Sequence, residues 1–188
     1  MQRLIKNPVY MVQDILKNVV EKGDTVVDAT CGNGYDTVFL ARLVGEEGKV
    51  YAFDVQSQAI ETTKDRLREN GLLENVILIN EGHQYMDRFV EGPIACAMFN
   101  LGYLPGSDHK VMTNWENTVT ALSKAMELLK QGGLITVIIY YGKDTGYEEK
   151  DKVLAYLSGI DSNRYTVLKL DFHNRINDPP IPILIEKL

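Results

Sequence analysis

The stretch Val26-Val27-Asp28-Ala29-Thr30-Cys31-Gly32-Asn33-Gly34-Tyr35-Asp36-Thr37 decides the fold of this chain. An apolar run ends in an acid, Asp28, and is followed by two glycines, Gly32 and Gly34, before a helical pattern begins. This order predicts a strand, a tight turn and a helix start, the arrangement with which α/β proteins build nucleotide sites. A dinucleotide fingerprint would have a third glycine at position 37, where this chain has Thr37, so the pattern argues against NAD.

The length and composition favour one soluble globular domain spanning 1–188, with residues 1–22 as a helical segment packed on it. Apolar residues make up 45% of the chain and charged residues 24%, which is ordinary for such a domain. No apolar run approaches membrane-spanning length, and Met1–Tyr10 lacks the apolar core of a signal peptide. The two cysteines, Cys31 and Cys96, indicate neither a disulfide framework nor a zinc cluster. We therefore expect a cytoplasmic protein with no metal and no membrane association.

The net charge of −6 bears on the kind of partner. A protein that neutralises many phosphates is usually basic on at least one face, so extended wrapping of nucleic acid is not expected. Local positive clusters occur at Arg3 with Lys6, at Lys64 with Arg66 and Arg68, and at Arg164 with Lys169 and Arg175. Such clusters are typical of solvated surface. The charge does not exclude recognition of one nucleotide in a small RNA loop.

Alternating helical and strand patterns predict the architecture. Helices are predicted over residues 9–21, 35–43, 57–69, 113–130 and 148–157, the fourth being closed by Gly132-Gly133. Strands are predicted over residues 25–28, 49–54, 75–80, 94–100, 134–141, 165–172 and 183–187. Because only a loop joins the last two strands, they should pair antiparallel. We therefore predict an α/β, Rossmann-like domain whose seven-stranded, mainly parallel sheet ends in an antiparallel hairpin.

Polar residues at strand ends are the next signal. Asp54 closes the second strand, where a carboxylate can accept hydrogen bonds from both hydroxyls of a ribose, whichever adenosine ligand carries it. Asp28 and Asp36 flank the glycine turn, where they would either meet positive groups of a ligand or satisfy turn amides and cap the helix. His83 follows the third strand, where it either contacts an adenine or has a structural role.

The second strong signal is Phe99-Asn100-Leu101-Gly102-Tyr103-Leu104-Pro105-Gly106, directly after the fourth strand. Ligands of open α/β sheets bind beyond the carboxyl ends of the strands, so this loop should border the same crevice. Asn100 and Tyr103 have the Asn-x-x-Tyr spacing of the Asn-Pro-Pro-Tyr motif in methyltransferases that act on amino nitrogens, with Leu101-Gly102 in place of Pro-Pro. The spacing alone is nearly as consistent with a plain loop containing an Asn turn and a buried Tyr.

A polar loop, Phe172–Pro180, separates the last two strands. Its residues His173, Asn174, Arg175 and Asn177 are suited to binding a base edge or a phosphate. Asn and Pro are also the usual residues of turns, so the two interpretations stay open.

Three segments together resemble one family: Asp28–Asp36, Asn100–Gly106 and Asn174–Pro180. The first resembles motif I of class I S-adenosylmethionine-dependent methyltransferases. The set resembles the small bacterial proteins called "putative rRNA methylases", a family that includes an enzyme methylating 5-aminomethyl-2-thiouridine at the tRNA wobble position. The resemblance implies the class I methyltransferase fold and S-adenosylmethionine as cofactor. It also implies methylation of the primary amine of that nucleoside in the tRNA anticodon loop, giving 5-methylaminomethyl-2-thiouridine.

The resemblance also assigns roles to residues. In the amino-nitrogen motif, the Asn side-chain oxygen and the next backbone carbonyl accept hydrogen bonds from the target amine, and the aromatic ring stacks on the base. This implies catalytic roles for Asn100, Leu101 and Tyr103. Cofactor binding is implied for Asp28, Thr30, Cys31, Gly32, Asn33, Gly34, Asp36, Thr37, Asp54, Val55, Gln56, His83 and Asn100. Substrate binding is implied for Tyr103, Leu104, Pro105, His173, Asn174, Arg175 and Asn177.

Two other functions stay open from the residues alone. One is a class I methyltransferase acting on rRNA or on a small-molecule amine, and the acidic balance mildly favours the small molecule. The other is a non-catalytic module that binds an adenosine ligand. Because the chain has no separate RNA-binding domain, a homodimer is one way in which an RNA surface would be assembled.

Overall fold

Strands and helices alternate along the chain, as the sequence predicts. The structure is a computed structural model and describes residues 7–102, 113–142 and 146–188. The strands are β1 (Thr25–Asp28), β2 (Lys49–Phe53), β3 (Val76–Ile79), β4 (Ile94–Leu101), β5 (Leu129–Ile139), β6 (Tyr165–Lys169) and β7 (Ile181–Lys187). The helices are α1 (Pro8–Leu16), α2 (Tyr35–Val44), α3 (Ser57–Glu69), α4 (Trp115–Leu128) and α5 (Tyr147–Ser158), and His83–Arg88 forms a 3-10 helix that the sequence patterns did not predict.

The described strands form one seven-stranded sheet in the order β3-β2-β1-β4-β5-β7-β6. The first five are parallel, and β7 pairs antiparallel with both β5 and β6. This confirms the predicted mainly parallel sheet with a terminal antiparallel hairpin. The direction of winding reverses between the central neighbours β1 and β4, and open α/β sheets bind ligands beyond such a switch point. The topology therefore places a site past the carboxyl ends of β1 and β4.

Helices cover both faces of the sheet. One apolar core lies between the sheet and α1, α2 and α3, and the other lies between the sheet and α4, α5 and the 3-10 helix. Every residue of β4 except Asn100 is buried, as expected for a strand covered on both sides. Within the described ranges, no helix has the length and apolar character needed to cross a bilayer.

Helix α1 ends earlier than the apolar spacing predicts. The pattern continues to residue 21, but the helix stops at Leu16. The side-chain amide of Asn18 donates to the Asp14 carbonyl at 3.0 Å, and the Asn18 backbone N–H donates to Ile15 instead. Side chains that compete for backbone acceptors in this way disfavour helix. The prediction that this helix continues to residue 21 is therefore wrong, because the Asn18 side chain competes for a backbone acceptor.

The Gly132-Gly133 pair does not end α4, contrary to the sequence prediction. The helix stops before Leu129, which is already extended and paired with Ile94 of β4. The register shifts between Ile94 and Cys96, so the glycines lie in an irregular stretch of β5, with Gly132 at φ +72. Two glycines usually indicate a helix end, but here the helix ends earlier because Leu129 pairs with the buried neighbouring strand.

Candidate active site

A large cleft lies beyond the carboxyl ends of the central strands. Its volume is about 2050 Å³, larger than the roughly 300–1,000 Å³ of ordinary small-molecule sites. The predicted site residues that border it are Thr30, Cys31, Gly32, Asn33, Asp36, Asp54, Val55, Gln56, His83, Asn100, Leu101 and Asn177. The predicted cofactor and acceptor regions thus share one cleft that has room for more than one ligand.

The glycine turn is fitted to helix α3 as well as to the cleft. Gly32 and Gly34 have φ of +49 and +79, a region that favours glycine. A Cβ on Gly34 would lie 2.9 Å from Oγ1 of Thr63 on α3 and 3.0 Å from its Cα. The Thr63 hydroxyl in turn donates to the Gly32 carbonyl at 3.0 Å. Gly34 does not border the cleft, so close packing on α3 explains this glycine, and its contact with a cofactor stays a prediction.

Asp54 extends from the end of β2 to the same turn. Its Oδ2 accepts from the Gly32 N–H and its Oδ1 from the Gln56 N–H, both at 2.9 Å. Burial raises the pKa of Asp54, and these two amide hydrogen bonds oppose the rise. A carboxylate has about four lone-pair sites, so each oxygen can still accept one more hydrogen bond from a ligand hydroxyl.

Asp28 is fully buried below the turn. Its Oδ2 accepts from the Thr37 hydroxyl at 2.6 Å, and its Oδ1 accepts from the Thr30 N–H at 3.2 Å. Burial, together with the nearby charge of Asp36, raises the pKa of Asp28 to about 7. Neither Asp28 nor Thr37 borders the cleft. The structure therefore gives both residues a place inside the turn, and their contact with a cofactor stays a prediction.

Asn100, near the end of β4, is held by two hydrogen bonds, one from its backbone and one from its side chain. Its backbone N–H donates to Oγ1 of Thr30 at 2.8 Å, and its Nδ2 donates to Oδ2 of Asp36 at 2.7 Å. The other oxygen of Asp36 accepts from Nε2 of Gln13, on α1, at 2.6 Å. Because a carboxylate only accepts, the Asn100 nitrogen must face Asp36 and the Asn100 oxygen must face away from it. That oxygen, Oδ1, is buried and has no hydrogen-bond partner among the described residues.

An unsatisfied buried acceptor is costly and rare in native proteins, and a functional role is one of the explanations for it. Asn100 borders the cleft, and its covered Oδ1 is an acceptor without a partner among the described residues, suited to an N–H or O–H donor that reaches it. The carbonyl of Leu101 differs, because it already accepts from the Tyr140 N–H at 2.9 Å. The two acceptors that the motif resemblance pairs are therefore not equally available.

His83 borders the cleft from the start of the 3-10 helix, with its ring buried. Its Nδ1 lies 3.0 Å from the Ala29 carbonyl, and its ring meets the edge of Phe99 with centroids 5.7 Å apart. A carbonyl only accepts, so Nδ1 carries the proton and Nε2 is the acceptor. Burial lowers the pKa of His83, which favours this neutral form. A structural role is evident, and the predicted adenine contact stays a prediction.

The cysteines show no sign of nucleophilic use. Cys31 and Cys96 are both free and buried, and burial raises the pKa of each thiol. Buried thiols of this kind are chemically inert. In the parts of the chain that the structure describes, no group of three or more His, Cys, Asp or Glu side chains could hold a metal ion.

Gln13 and Tyr140 are among the residues of the cleft that the sequence predictions missed. Gln13 reaches Asp36 from a helix 23 positions away, a contact that no local pattern reveals. Tyr140 follows β5 directly and borders the cleft; burial and the charge of Asp36 raise its pKa to about 12. Its position beyond a strand end is the signal that could have identified it.

The substrate-binding predictions divide into three groups. Tyr103, Leu104 and Pro105 lie outside the described residues. His173, Asn174 and Arg175 are described but do not border the cleft, whereas Asn177 does. Asn177 and its neighbour Asp178 have φ of +71 and +47, values that are uncommon for residues other than glycine and recur at functional sites.

The family model described as "Putative rRNA methylase" matches residues 50–186, well over half of the chain. The chain belongs to this family. A second model, for protein-L-isoaspartate(D-aspartate) O-methyltransferases, matches residues 5–89. This chain is 38% identical over 181 residues to the chloroplastic tRNA (mnm(5)s(2)U34)-methyltransferase of Arabidopsis thaliana. That match covers 91% of the chain but 65% of the plant protein, so the chain spans less than two thirds of its curated relative.

Solved structures agree with this assignment over nearly the whole chain. The structure of a "putative rRNA-methylase" from Clostridium thermocellum is 54% identical and superposes with a TM-score of 0.95, covering 97% of this chain and 98% of that one. A "putative methyltransferase" from Streptococcus mutans, solved in complex with SAH (S-adenosylhomocysteine), is 43% identical with a TM-score of 0.89 over 97% and 99% of the two chains. The protein is thus a methyltransferase with the Rossmann-like fold, and S-adenosylmethionine is its cofactor.

The residues of the cleft fit this cofactor. Asp54 retains acceptor capacity for two ribose hydroxyls, and the amides of Gly32 and Gln56 hold its carboxylate in place. Burial raises the pKa of Asp36; when ionised, its carboxylate adds negative charge beside the cleft, which suits a ligand that carries an ammonium and a sulfonium. Asp54, the glycine turn and the 3-10 helix with His83 would hold the adenosine, and the Asn100 region would lie near the reactive end.

Proposed function

We propose that the protein methylates the aminomethyl nitrogen of 5-aminomethyl-2-thiouridine at the tRNA wobble position, giving 5-methylaminomethyl-2-thiouridine. The name of the Arabidopsis relative supports the choice of nucleoside. The observation that carries the choice of a hydrogen-bond donor such as an amine is the buried Oδ1 of Asn100 at the cleft, which has no hydrogen-bond partner among the described residues. An amine brings the N–H donor that this oxygen lacks.

The side chain of Asn100 would act on the amine by orientation. A hydrogen bond from an amine N–H to Oδ1 fixes the nitrogen, so that its lone pair points in one direction, and such positioning is a large part of catalysis for group transfer. Asp36 keeps the amide from rotating, because its carboxylate accepts from Nδ2. The cofactor, when bound, supplies an electrophilic methyl group that needs no metal and no covalent intermediate on the protein.

The amine must be neutral before its nitrogen can react. An alkylammonium has a pKa of roughly 10, near that of lysine, and burial beside another cation lowers it. The described cleft has a carbonyl acceptor in Asn100 and a neutral histidine in His83, whose Nδ1–H donates to Ala29 and whose Nε2 is a weak base because burial lowers the pKa of the ring. We therefore assign the departing proton to water. Tyr103 would stack on the uracil, and Leu104, Pro105, His173, Asn174, Arg175 and Asn177 complete the proposed substrate set.

We also propose that the enzyme works in the cytoplasm on the anticodon loop, with a homodimer as the proposed assembly. Two free, buried thiols are compatible with a reducing compartment.

The decisive experiment compares modified nucleosides by mass spectrometry. Transfer RNA from cells that lack the protein should accumulate 5-aminomethyl-2-thiouridine, and the purified enzyme should convert it in that tRNA. Ribosomal RNA and an extract of small amines are tested in parallel. Methyl transfer to either of them, with none to the tRNA, would overturn the choice of substrate while leaving the enzyme class intact.

Replacing Asn100 tests the chemistry within that reaction. Asn100→Ala should lower turnover by about a hundredfold or more, because the amine loses the acceptor that orients it. Calorimetric affinity for S-adenosylhomocysteine should stay within a few fold of the wild type. Turnover that survives the change to within a few fold would show that Asn100 has no such role.

A further inference from the structure

A basic and aromatic surface adjoins the cleft on the side of α2 and α3. We call it the α2–α3 patch and define it by Tyr35, Arg42, Arg66 and Asn70, all of which border the cleft. Tyr35 is 66% exposed, an unusual degree for a large aromatic side chain. None of these residues is used by the chemistry described above.

The guanidinium of Arg66 is fixed against the tyrosine. Its Cζ lies 3.8 Å from the centroid of the Tyr35 ring, and its Nε donates to the Asn33 carbonyl at 2.6 Å. A guanidinium has five N–H donors, so the four on the two terminal nitrogens are left for another partner. Arg66 is therefore held in one orientation with its donors available beside the glycine turn.

Arg42 belongs to the same arrangement. Its Nη2 donates to Oδ1 of Asn70 at 2.5 Å, and Nδ2 of Asn70 donates to the Arg66 carbonyl at 2.8 Å. Asn70 thus joins the two arginines. In the part of the chain that the structure describes, neither arginine pairs with a carboxylate. Arg88 also lacks a carboxylate pair among the described residues, whereas six other cations have one: Lys17, Arg68, Lys124, Lys130, Lys150 and Lys169.

The chemistry of the patch selects its ligand. Among the described residues the two arginines have no carboxylate pair, and arginine forks match phosphate oxygens. An exposed tyrosine beside them offers a face on which a base can stack, and stacking with backbone phosphate contacts is how proteins bind single-stranded nucleic acid. An unstructured acidic peptide would use the arginines but would leave the ring without a partner of matching shape.

The patch also lies in the right place for a substrate strand. Tyr35 and Asp36 are consecutive on α2: Tyr35 points to solvent, while Asp36 is buried and bonded to Asn100. A nucleotide whose amine reaches Asn100 therefore has its neighbours in the strand within reach of this side of the cleft.

We propose that the α2–α3 patch binds the single-stranded RNA that flanks the target nucleotide, with a base stacked on Tyr35 and phosphates on Arg42 and Arg66. This inference rests on the proposed function, because it requires an RNA substrate. The patch contributes binding affinity for the RNA, and Asn100 orients the amine that is methylated.

The test measures RNA binding apart from turnover. Full-length protein with S-adenosylhomocysteine is titrated into a labelled anticodon stem–loop RNA, and fluorescence anisotropy gives Kd at several salt concentrations. Arg42→Ala and Arg66→Ala should each raise Kd about tenfold and reduce the salt slope by about one. Tyr35→Ala should raise Kd by about fivefold or more, and Tyr35→Phe should restore it.

Arg88→Ala is the matched control. Arg88 also lies over a tyrosine, Tyr85, at 4.3 Å, but it does not border the cleft. Its loss should leave Kd unchanged. Because Arg66 touches the glycine turn, cofactor affinity is measured for each variant, and Arg42→Ala and Tyr35→Ala keep the test valid if Arg66→Ala disturbs that turn.

The outcomes separate the patch from the proposed function. If the wild type binds and methylates the RNA, and the patch variants bind it as well as Arg88→Ala does, the patch is not the RNA surface and the function stands. If the wild type neither binds RNA nor methylates it but methylates a small amine, the proposed substrate fails and the patch proposal fails with it. Weaker binding in the patch variants alone, with cofactor affinity intact, supports the proposal.

Discussion

At the scale of single residues, Asp36 determines how the side-chain amide of Asn100 is oriented. Both of its oxygens accept from amides, one from Gln13 and one from Asn100. Each of these bonds fixes an amide that could otherwise be rotated by half a turn, which would exchange the nitrogen and the oxygen. With Asp36 ionised, only one orientation of Asn100 places its oxygen toward an incoming amine. We therefore expect Asp36 to set the polarity of the acceptor, in addition to any contact with the cofactor.

This expectation is tested by Asp36→Asn. The new side chain can donate as well as accept, so both orientations of Asn100 become acceptable and only part of the enzyme presents Oδ1 to the amine. Turnover should fall by roughly tenfold to a hundredfold, with calorimetric affinity for S-adenosylhomocysteine within a few fold of the wild type. Asp14→Asn, on the same helix as Gln13 but in a surface pair with Lys17, is the control. A loss of cofactor affinity as large as the loss of turnover would show that the carboxylate serves the cofactor instead.

At the scale of elements, the glycine turn connects β1, α2 and α3. Gly34→Ala should lower the free energy of unfolding by about 2 kcal/mol or more. About 1–2 kcal/mol comes from a left-handed φ in a residue with a Cβ. The rest comes from the approach of that Cβ to within 3.0 Å of the Thr63 backbone. Urea denaturation measures the change.

Gly71→Ala separates the contribution of the backbone conformation from that of the contact with Thr63. Gly71 also has a positive φ, +66, but a Cβ there would meet no atom within 4 Å. Gly71→Ala should therefore lower the free energy of unfolding by only about 1–2 kcal/mol, which is the contribution of the backbone conformation. Equal losses of unfolding free energy in the two variants would mean that α3 moves away from the added Cβ without destabilising the protein.

The elements also show where sequence patterns suffice. The strands that flank the site were predicted because buried parallel strands are near-continuous apolar runs ending in polar residues, as β4 is at Asn100. The end of α1 was missed because the side chain of Asn18 competes for a backbone acceptor, and the start of β5 was missed because pairing with Ile94 outweighs a glycine signal. The bond between Gln13 and Asp36 depends on packing of distant segments, which no local pattern encodes.

At the scale of the whole molecule, burial affects the pH dependence of stability. Burial raises the pKa values of Asp28, Asp36, Asp54 and Glu149. A carboxyl group whose folded-state pKa exceeds its unfolded value holds more protons in the folded protein, so stability falls as pH rises between the two values. For Asp28 this window runs from 3.8 to about 7. The free energy of unfolding should therefore be lower at about pH 8 than at about pH 5, with a slope from Asp28 of up to about 1.4 kcal/mol per pH unit.

Asp28→Asn should reduce that slope, because an amide keeps the acceptor for Thr37 and does not titrate. Urea denaturation of both proteins at several pH values between about 5 and 8 provides the measurement. Asp65→Asn, which removes an exposed carboxylate paired with Arg68, should leave the slope as it is in the wild type. An unchanged slope in Asp28→Asn would mean that Asp28 stays ionised throughout this range.

The side-by-side placement of β1 and β4 has a consequence for how such enzymes diversify. Asp28 at the end of β1 pairs with Met98 of β4, and two residues further along each segment the Asn100 N–H donates to the Thr30 hydroxyl. The glycine turn that would hold the methyl donor and the Asn100 side chain that would hold the acceptor are therefore fixed to each other. Their spacing needs no hinge to set it. Under the proposed function, substitutions within the cleft that keep this pairing should therefore change which amine is accepted without weakening the binding of the methyl donor.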